Sequence, residues 1–242
     1  MKEVMLKFSP ANRKLKGLEI VMKRKLVSFS TLSGHNCPGA DKCQSFAIET
    51  PDGLRIRDGK HNEFRCFSAS QEVLYRNVYN SRKQNEELLR IAAINISAAV
   101  SVIRDNFPKK ANLCRLHVAG DFKTQNYFDA WLQFATETPK VHFYAYTKSI
   151  PFWVKRLGNI PKNFVLTASI GGKYDALAIG NGLRTATVYE TAADVPKGVP
   201  IDHNDKYAAM PRYRDKSFAL LLHGTQVGRK AQYGYGKMKV GE

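Results

Sequence analysis

The second half of the chain alternates short apolar runs with longer amphipathic stretches, and this alternation restricts the fold more than any other feature. The runs predict strands at 113–118, 141–146, 164–169, 185–189 and 217–222, and an earlier run predicts a strand at 26–32. Helices are predicted between them, including one capped by Thr124 and one opening at Pro151. Strands separated by helices favour a parallel sheet with right-handed crossovers, either open or closed as a barrel. We therefore expect a single α/β domain over residues 1–242.

The first half of the chain is less regular. Residues 1–25 predict an N-terminal arm or hairpin, and residues 44–65 predict a small insertion such as a hairpin. Two apparent capping boxes, at 68–71 and 81–84, predict helices, the second of them long and ending at Pro108.

Polar motifs directly follow several of the predicted strands. A loop with Cys37 and Cys43 follows the first strand, Gly120-Asp121 follows the second, and Lys148 and Gly171 follow later strands. In parallel α/β folds, ligands bind at the carboxyl ends of the strands. The sequence therefore predicts one shared site built from these motifs.

Three of the four cysteines, Cys37, Cys43 and Cys66, belong to the stretch that leaves the first strand. We find no signal peptide, so free thiols or metal ligands are expected rather than disulfides. Thiolates suit zinc or iron–sulfur clusters, and the alternative is that all three are ordinary buried residues. Cys114 lies within a strand and is expected in the core.

Other polar residues of the predicted site admit two interpretations each. In one interpretation, His117 and Asp121 form an acid–base pair or bind a metal. In the other, His117 packs in the sheet and Asp121 caps the next helix. For Lys148, the functional interpretation is a contact with a phosphate or carboxylate, and the alternative is a solvated loop lysine. Ser169 and Gly171 let the backbone approach a ligand, or form a plain turn.

The chain is strongly basic, with 38 Lys and Arg against 21 Asp and Glu and a net charge of +17. Basic residues concentrate at 14–25, 55–65 and 229–239. Such an excess is typical of nucleic-acid binding, which we expect here, and the alternative is a basic bias without such a partner. No apolar run is long enough to span a bilayer, so we expect no membrane partner and a cytoplasmic location.

Several enzyme classes are disfavoured because their motifs do not occur. The sequence has no Walker-type phosphate loop and no Gly-x-Ser-x-Gly nucleophile elbow. A metal-dependent nuclease remains an alternative, with zinc bound by cysteines and by His35, His61 or His117. A basic nucleic-acid-binding protein with structural zinc or no metal is another.

Three blocks resemble the phage gene product 88 family. They are Cys37-Pro38-Gly39-Ala40 with Cys43 and Cys66-Phe67-Ser68-Ala69, then 115–122, then 142–149. That family in turn is similar to a trimmed radical S-adenosylmethionine (SAM) barrel. The resemblance implies an incomplete (βα) barrel and a [4Fe–4S] cluster on Cys37, Cys43 and Cys66, with S-adenosylmethionine as a further cofactor. It also implies cofactor-binding roles for Gly120, Asp121, Ser169 and Gly171, and catalytic roles for Asp121, His117 and Lys148.

Overall fold

The computed structural model describes residues 5–60 and 65–221 and is built on a seven-stranded sheet. The sheet order is β1-β2-β5-β6-β7-β8-β9, in which β1 pairs with β2 antiparallel and every other pair is parallel. A separate antiparallel hairpin consists of β3 and β4. The predicted α/β class with a mostly parallel sheet is therefore confirmed.

The strands are β1 Ser9–Pro10, β2 Leu26–Phe29, β3 Phe46–Thr50, β4 Gly53–Arg57, β5 Leu113–Leu116, β6 His142–Thr147, β7 Phe164–Ser169, β8 Thr185–Tyr189 and β9 Phe218–Leu221. The α-helices are α1 Arg13–Met22, α2 Phe67–Leu74, α3 Arg76–Leu89, α4 Ile96–Asn106, α5 Gln125–Glu137, α6 Ile150–Val154, α7 Asp175–Gly180 and α8 Lys206–Ala209. Short 3₁₀ turns occupy Arg90–Ala93, Ala192–Asp194 and Pro211–Tyr213.

The parallel strands lie in the sheet in the same order as in the chain. The crossover helices α4 to α7 share one face, whereas α8, between β8 and β9, packs on the other. Helices α4, α5, α6 and α7 all contribute to the larger hydrophobic core, on the side of Phe143 and Leu116. Because strand side chains alternate between faces, Tyr144 of the same strand points to the other side. There it packs against α1 and α8 in a second, smaller core. This sequential strand order differs from a doubly wound sheet, in which the strand order reverses.

The N-terminal segment contributes an edge strand and a helix to this second face. Asn12 caps α1 by accepting a hydrogen bond from the Leu15 amide, and Leu15 and Leu18 are buried against the sheet. The sequence supports this helix because its two leucines recur at i and i+3, on one face.

Two predictions about the helices were wrong. Helix α2 begins at Phe67 after Cys66, so the serine expected as its cap lies inside the first turn. The single long helix is divided, because α3 already begins at Arg76 and a break precedes α4. At that break Asn95 accepts a hydrogen bond from the Ala98 amide, which makes it a new N-cap within an otherwise apolar periodic stretch.

Candidate functional site

The loop that follows β2 runs across the carboxyl ends of the parallel strands. Its first part is held by Asn36, whose side-chain amide donates to the Leu32 carbonyl (3.0 Å) and to Glu86 (2.7 Å). The Asn36 carbonyl accepts a hydrogen bond from the Asp121 amide (3.1 Å). The loop is thus fixed to the segment that follows β5.

The middle of the loop docks on the ends of β6 and β7. Gly39 lies so close to Lys148 that a Cβ atom on it would stand 1.8 Å from the Lys148 carbonyl oxygen. The Gly39 carbonyl accepts a hydrogen bond from the Lys173 amide (2.9 Å), and Ala40 forms a β-bridge with Gly172. Glycine at 39 is therefore required by close backbone approach, which the sequence showed only as part of a Cys-Pro-Gly turn.

The hairpin β3–β4 returns the chain to the site at Cys66. At the base of the hairpin, the Ser45 hydroxyl donates to Asp58 (2.9 Å) and accepts a hydrogen bond from the Cys66 amide (3.3 Å). Asp58 also pairs with Arg65 (2.9 Å). The hairpin occupies the segment in which the sequence predicts an insertion, and its closed base places Cys66 beside the loop that carries the other two cysteines.

The three thiols share one electrostatic environment. Burial raises the pKa of Cys37, and charges on Asp121, Cys66 and Cys43 raise it further. Burial and then Cys66 raise the pKa of Cys43 to about 12, although the Lys148 ammonium opposes this. The folded chain therefore holds these groups as neutral thiols at neutral pH, and a cation bound among them would favour their ionisation.

Cys66 differs from the other two because it precedes helix α2. Burial raises its pKa, while the backbone amides of Ala69 and Ser68 in the first turn lower it. A helix N-terminus stabilises a thiolate in this way. Within residues 5–60 and 65–221, however, no three His, Cys, Asp or Glu side chains are arranged to hold a single metal ion.

Asp121 ties the ends of β5 and β6 together. Its Oδ1 accepts from the Phe122 amide (2.7 Å) and the Thr147 hydroxyl (2.6 Å), and its Oδ2 accepts from the Lys148 amide (2.7 Å). Burial raises the pKa of Asp121 to about 6, although the three hydrogen bonds to its carboxylate lower it. The N-cap of α5 is Thr124, as predicted, and its hydroxyl accepts a hydrogen bond from the Tyr127 amide. Asp121 does not cap this helix.

Lys148 and Ser169 meet at the end of β7. The Lys148 ammonium donates to the carbonyl oxygens of Ser169 (2.9 Å) and Ile170 (2.8 Å). Gly171 has a left-handed φ of +95°, and its amide donates to Asp175. A solvated loop lysine does not fit this geometry, because the charge of Lys148 is held against the strand end beside Cys43.

Gly120 is explained by packing within the chain. A Cβ atom there would lie 2.1 Å from the Thr31 hydroxyl, and its φ is +77°. The residue allows the segment after β5 to approach the segment after β2.

His117 lies in the core, among aromatic rings. Its Nε2 is 2.8 Å from the Tyr127 hydroxyl, its Nδ1 has no partner within the described residues, and Phe29 and Phe122 pack around the ring. Burial lowers its pKa to about 3, so the ring is neutral at physiological pH. Cys114 is likewise buried in the core, as expected.

Sequence reasoning missed a buried ion pair beneath the cysteines. Glu72 pairs with Arg82 (2.9 Å) and accepts hydrogen bonds from the Ser33 amide (3.0 Å) and hydroxyl (2.7 Å). Glu72 also raises the pKa of Cys37 and Cys66. Since the two partners belong to different helices, no helical spacing of opposite charges could have indicated this pair.

A cavity of about 460 Å³ opens beside Asp121. Its apolar wall comes from the end of α3 and the following 3₁₀ turn, and charged residues that include Glu86, Arg90 and Lys123 line the rest. Its volume and mixed lining are typical of small-molecule sites.

The histidines offered for a zinc nuclease do not gather at the thiols. His35 packs against Phe46 with ring centroids 4.3 Å apart, and His117 lies in the core. His61 and the predicted motif at 223–226 lie outside the described residues, as does the basic segment 229–239.

Fold and site together define an α/β protein whose parallel sheet carries a cysteine-rich loop at the carboxyl ends of its strands. The chain matches the family model described as gene product 88 over residues 5–235 and belongs to this phage family. No curated protein and no solved structure gave a significant match. Among the described residues, no helix is both long and apolar enough to cross a membrane.

Proposed function

We propose that Cys37, Cys43 and Cys66 bind a [4Fe–4S] cluster at the carboxyl ends of the parallel strands. The observation that carries this proposal is that the hairpin returns Cys66, through its hydrogen bond to Ser45, to the loop of Cys37 and Cys43. There the three half-buried thiols act on one another electrostatically. A positively charged metal centre offsets the burial that otherwise keeps them protonated.

Thiolates are soft ligands of the kind that hold iron–sulfur clusters, in which each thiolate binds a different iron. Three cysteines also leave one iron open to another ligand. A cluster bound there supplies one-electron chemistry.

The surrounding side chains support an organic cofactor, with S-adenosylmethionine as the proposed molecule. Asp121 lies near Cys37 and lines the cavity, and a carboxylate there accepts hydrogen bonds from an ammonium group. Lys148 holds the Cys43 side of the site by fixing the Ser169 carbonyl. The sequential order of the parallel strands, with α4 to α7 on one face, supports the incomplete, radical-SAM-like barrel that the resemblance implies. His117 has no part in this proposal because its ring is enclosed in the core.

Iron and acid-labile sulfide analysis of anaerobically purified protein tests the cluster. We expect a brown protein with absorbance near ~400 nm, typical of thiolate-bound iron. Cys37→Ala, Cys43→Ala and Cys66→Ala should each lower the iron content strongly, whereas Cys114→Ala should not. Unchanged iron in the three site variants, or a colourless protein with stoichiometric zinc, contradicts the proposal.

A second function, nucleic-acid binding, is favoured by the net charge of +17. Binding of this kind weakens steeply with added salt, because each neutralised phosphate releases counterions. A filter-binding titration of a DNA or RNA oligonucleotide at several salt concentrations measures this. Absence of binding at low salt removes the second function without affecting the first.

A further inference from the structure

Lysines precede four neighbouring strands at the end of the sheet opposite the cysteine loop. Lys25 lies before β2, Lys110 before β5, Lys140 before β6 and Lys162 before β7. All four side chains are exposed, and they come from four separate parts of the chain. The parallel order of the strands brings them to one end of the sheet.

Two arginines join these strand starts into one surface. The Arg24 guanidinium donates to the carbonyl oxygens of Asn112 (2.9 Å) and Lys140 (3.0 Å). The Arg214 guanidinium donates to the Lys162 carbonyl (2.6 Å). We call the six residues Arg24, Lys25, Lys110, Lys140, Lys162 and Arg214 the basic edge.

The charges of the two arginines also act on a shared neighbour. The pKa of His142 is lowered to about 4, mainly by burial and in addition by the charges of Arg24 and Arg214, while a hydrogen bond with the Ala209 carbonyl raises it. Both guanidinium groups therefore lie close to the first residue of β6, although they come from opposite ends of the chain.

Carboxylates near the basic edge do not neutralise it. Glu19 lies 3.7 Å from Lys25 and also accepts a hydrogen bond from the Leu26 amide, and Glu137 is paired with Arg104. Asp215 adjoins Arg214 in the chain and is exposed. Among the described residues, Lys110, Lys140 and Lys162 have no ion pair, so their charges are available to a partner.

The geometry of a parallel sheet sets the spacing of these charges. Neighbouring strands lie about 4.8 Å apart, so the starts of β2, β5, β6 and β7 span roughly 14 Å. A row of cations at this spacing matches a linear polyanion, in which phosphates follow one another every few ångströms.

We propose that the basic edge is the surface of this protein that binds the phosphate backbone of nucleic acid. This placement rests on the proposed nucleic-acid function and adds where the contact occurs. It assigns the backbone to the end of the sheet opposite the cysteines, so the two sites are occupied independently.

Two double variants with equal charge change test the placement. Lys140→Gln with Lys162→Gln removes two free charges from the basic edge. Arg55→Gln with Arg57→Gln is the matched control, because both arginines are exposed and without an ion pair among the described residues, and their hairpin lies beside Cys66 at the other end. The probe is a fluorescent DNA duplex, titrated by anisotropy over a range of salt concentrations.

We expect the edge variant to bind roughly tenfold or more weakly at low salt. The slope of log K against log salt should become less steep by about 1.8, which is 0.9 for each of two lost phosphate contacts. The hairpin control should keep the wild-type slope. Unchanged circular dichroism and melting temperature show that both variants fold.

Equal losses in the two variants, or none in the edge variant, refute the placement while the wild type still binds DNA. A wild type that does not bind at any salt concentration refutes the nucleic-acid function and the placement together. Binding to vesicles that contain an anionic phospholipid tests whether the basic edge binds a lipid surface instead of nucleic acid. If the edge substitutions abolish vesicle binding but leave DNA binding intact, the proposed partner is wrong.

Discussion

Replacing Gly39 with alanine tests the packing that positions the cysteine loop. The new Cβ would lie 1.8 Å from the Lys148 carbonyl oxygen, whereas such contacts essentially never fall below 3.0 Å. The backbones must therefore separate by about 1.2 Å, the difference between these two distances. Lys148 resists because its amide is bound to the buried Asp121 carboxylate (2.7 Å), so the loop has to move.

The expected cost has two parts. Movement of the loop strains the packing by about 1–3 kcal/mol. It also breaks the hydrogen bond from the Lys173 amide to the Gly39 carbonyl, worth roughly 1 kcal/mol. We expect Gly39→Ala to lower the free energy of unfolding by about 2–4 kcal/mol. In a chain of this size that lowers the melting temperature by roughly 4–16 °C.

Gly17→Ala is the matched control for this prediction. Gly17 lies inside α1, no atom stands within 4 Å of the position that its Cβ would occupy, and it lacks a positive φ. The same chemical change should there raise the free energy of unfolding by about 0.5–1 kcal/mol, because alanine restricts the unfolded chain. Urea titration monitored by circular dichroism measures both variants. A Gly39→Ala protein as stable as the wild type refutes the close approach and with it the docking of the loop.

Two further predictions concern buried charge. Arg82→Met should destabilise the protein by about 3–5 kcal/mol, because it leaves the Glu72 carboxylate buried without its partner. Arg76→Met removes a largely exposed partner of Glu49 and should cost less than about 1 kcal/mol in the same urea titration; equal losses would contradict the burial of the first pair. The second prediction is an acid sensitivity at His117, whose pKa falls from 6.5 to about 3 on folding. Its contribution to stability is present above pH 6.5 and is lost as the pH falls towards 3, by about 1.4 kcal/mol per pH unit. Unfolding measured between about pH 4 and 7 should show a shallower acid loss in His117→Leu than in the wild type, and identical slopes would show that the ring is not buried in its neutral form.

Local patterns predicted the regular elements of the second half well. Strands β7 and β8 have the predicted bounds, and Thr124 caps α5 as expected. These elements were predictable because apolar runs, β-branched residues and short capping side chains act on their own neighbours. The breaks in the first half were not, since the division between α3 and α4 depends on a single side chain, Asn95, competing with an otherwise continuous helical pattern.

The candidate site was predictable in composition more than in arrangement. The sequence placed the Cys37–Cys43 loop, Asp121 and Lys148 after strands, and the parallel sheet brings strand ends to one edge. The direction of His117 could not be predicted, because β5 ends at Leu116 and the alternation of side chains no longer applies beyond it. The Glu72–Arg82 pair was equally unpredictable, since two helices have to pack before the charges meet.

By itself, the sequence determined the α/β class, the alternation of strands and helices, and the position of polar motifs at the strand ends. Each of these depends on short-range periodicity and on the rules of parallel winding. Only the tertiary structure decided that Cys66 returns to Cys37 and Cys43, since that requires a hairpin closed by Ser45 and Asp58. Only the tertiary structure, likewise, assembled the basic edge. Its lysines are far apart in the chain and become neighbours because hydrogen bonding aligns the starts of adjacent strands.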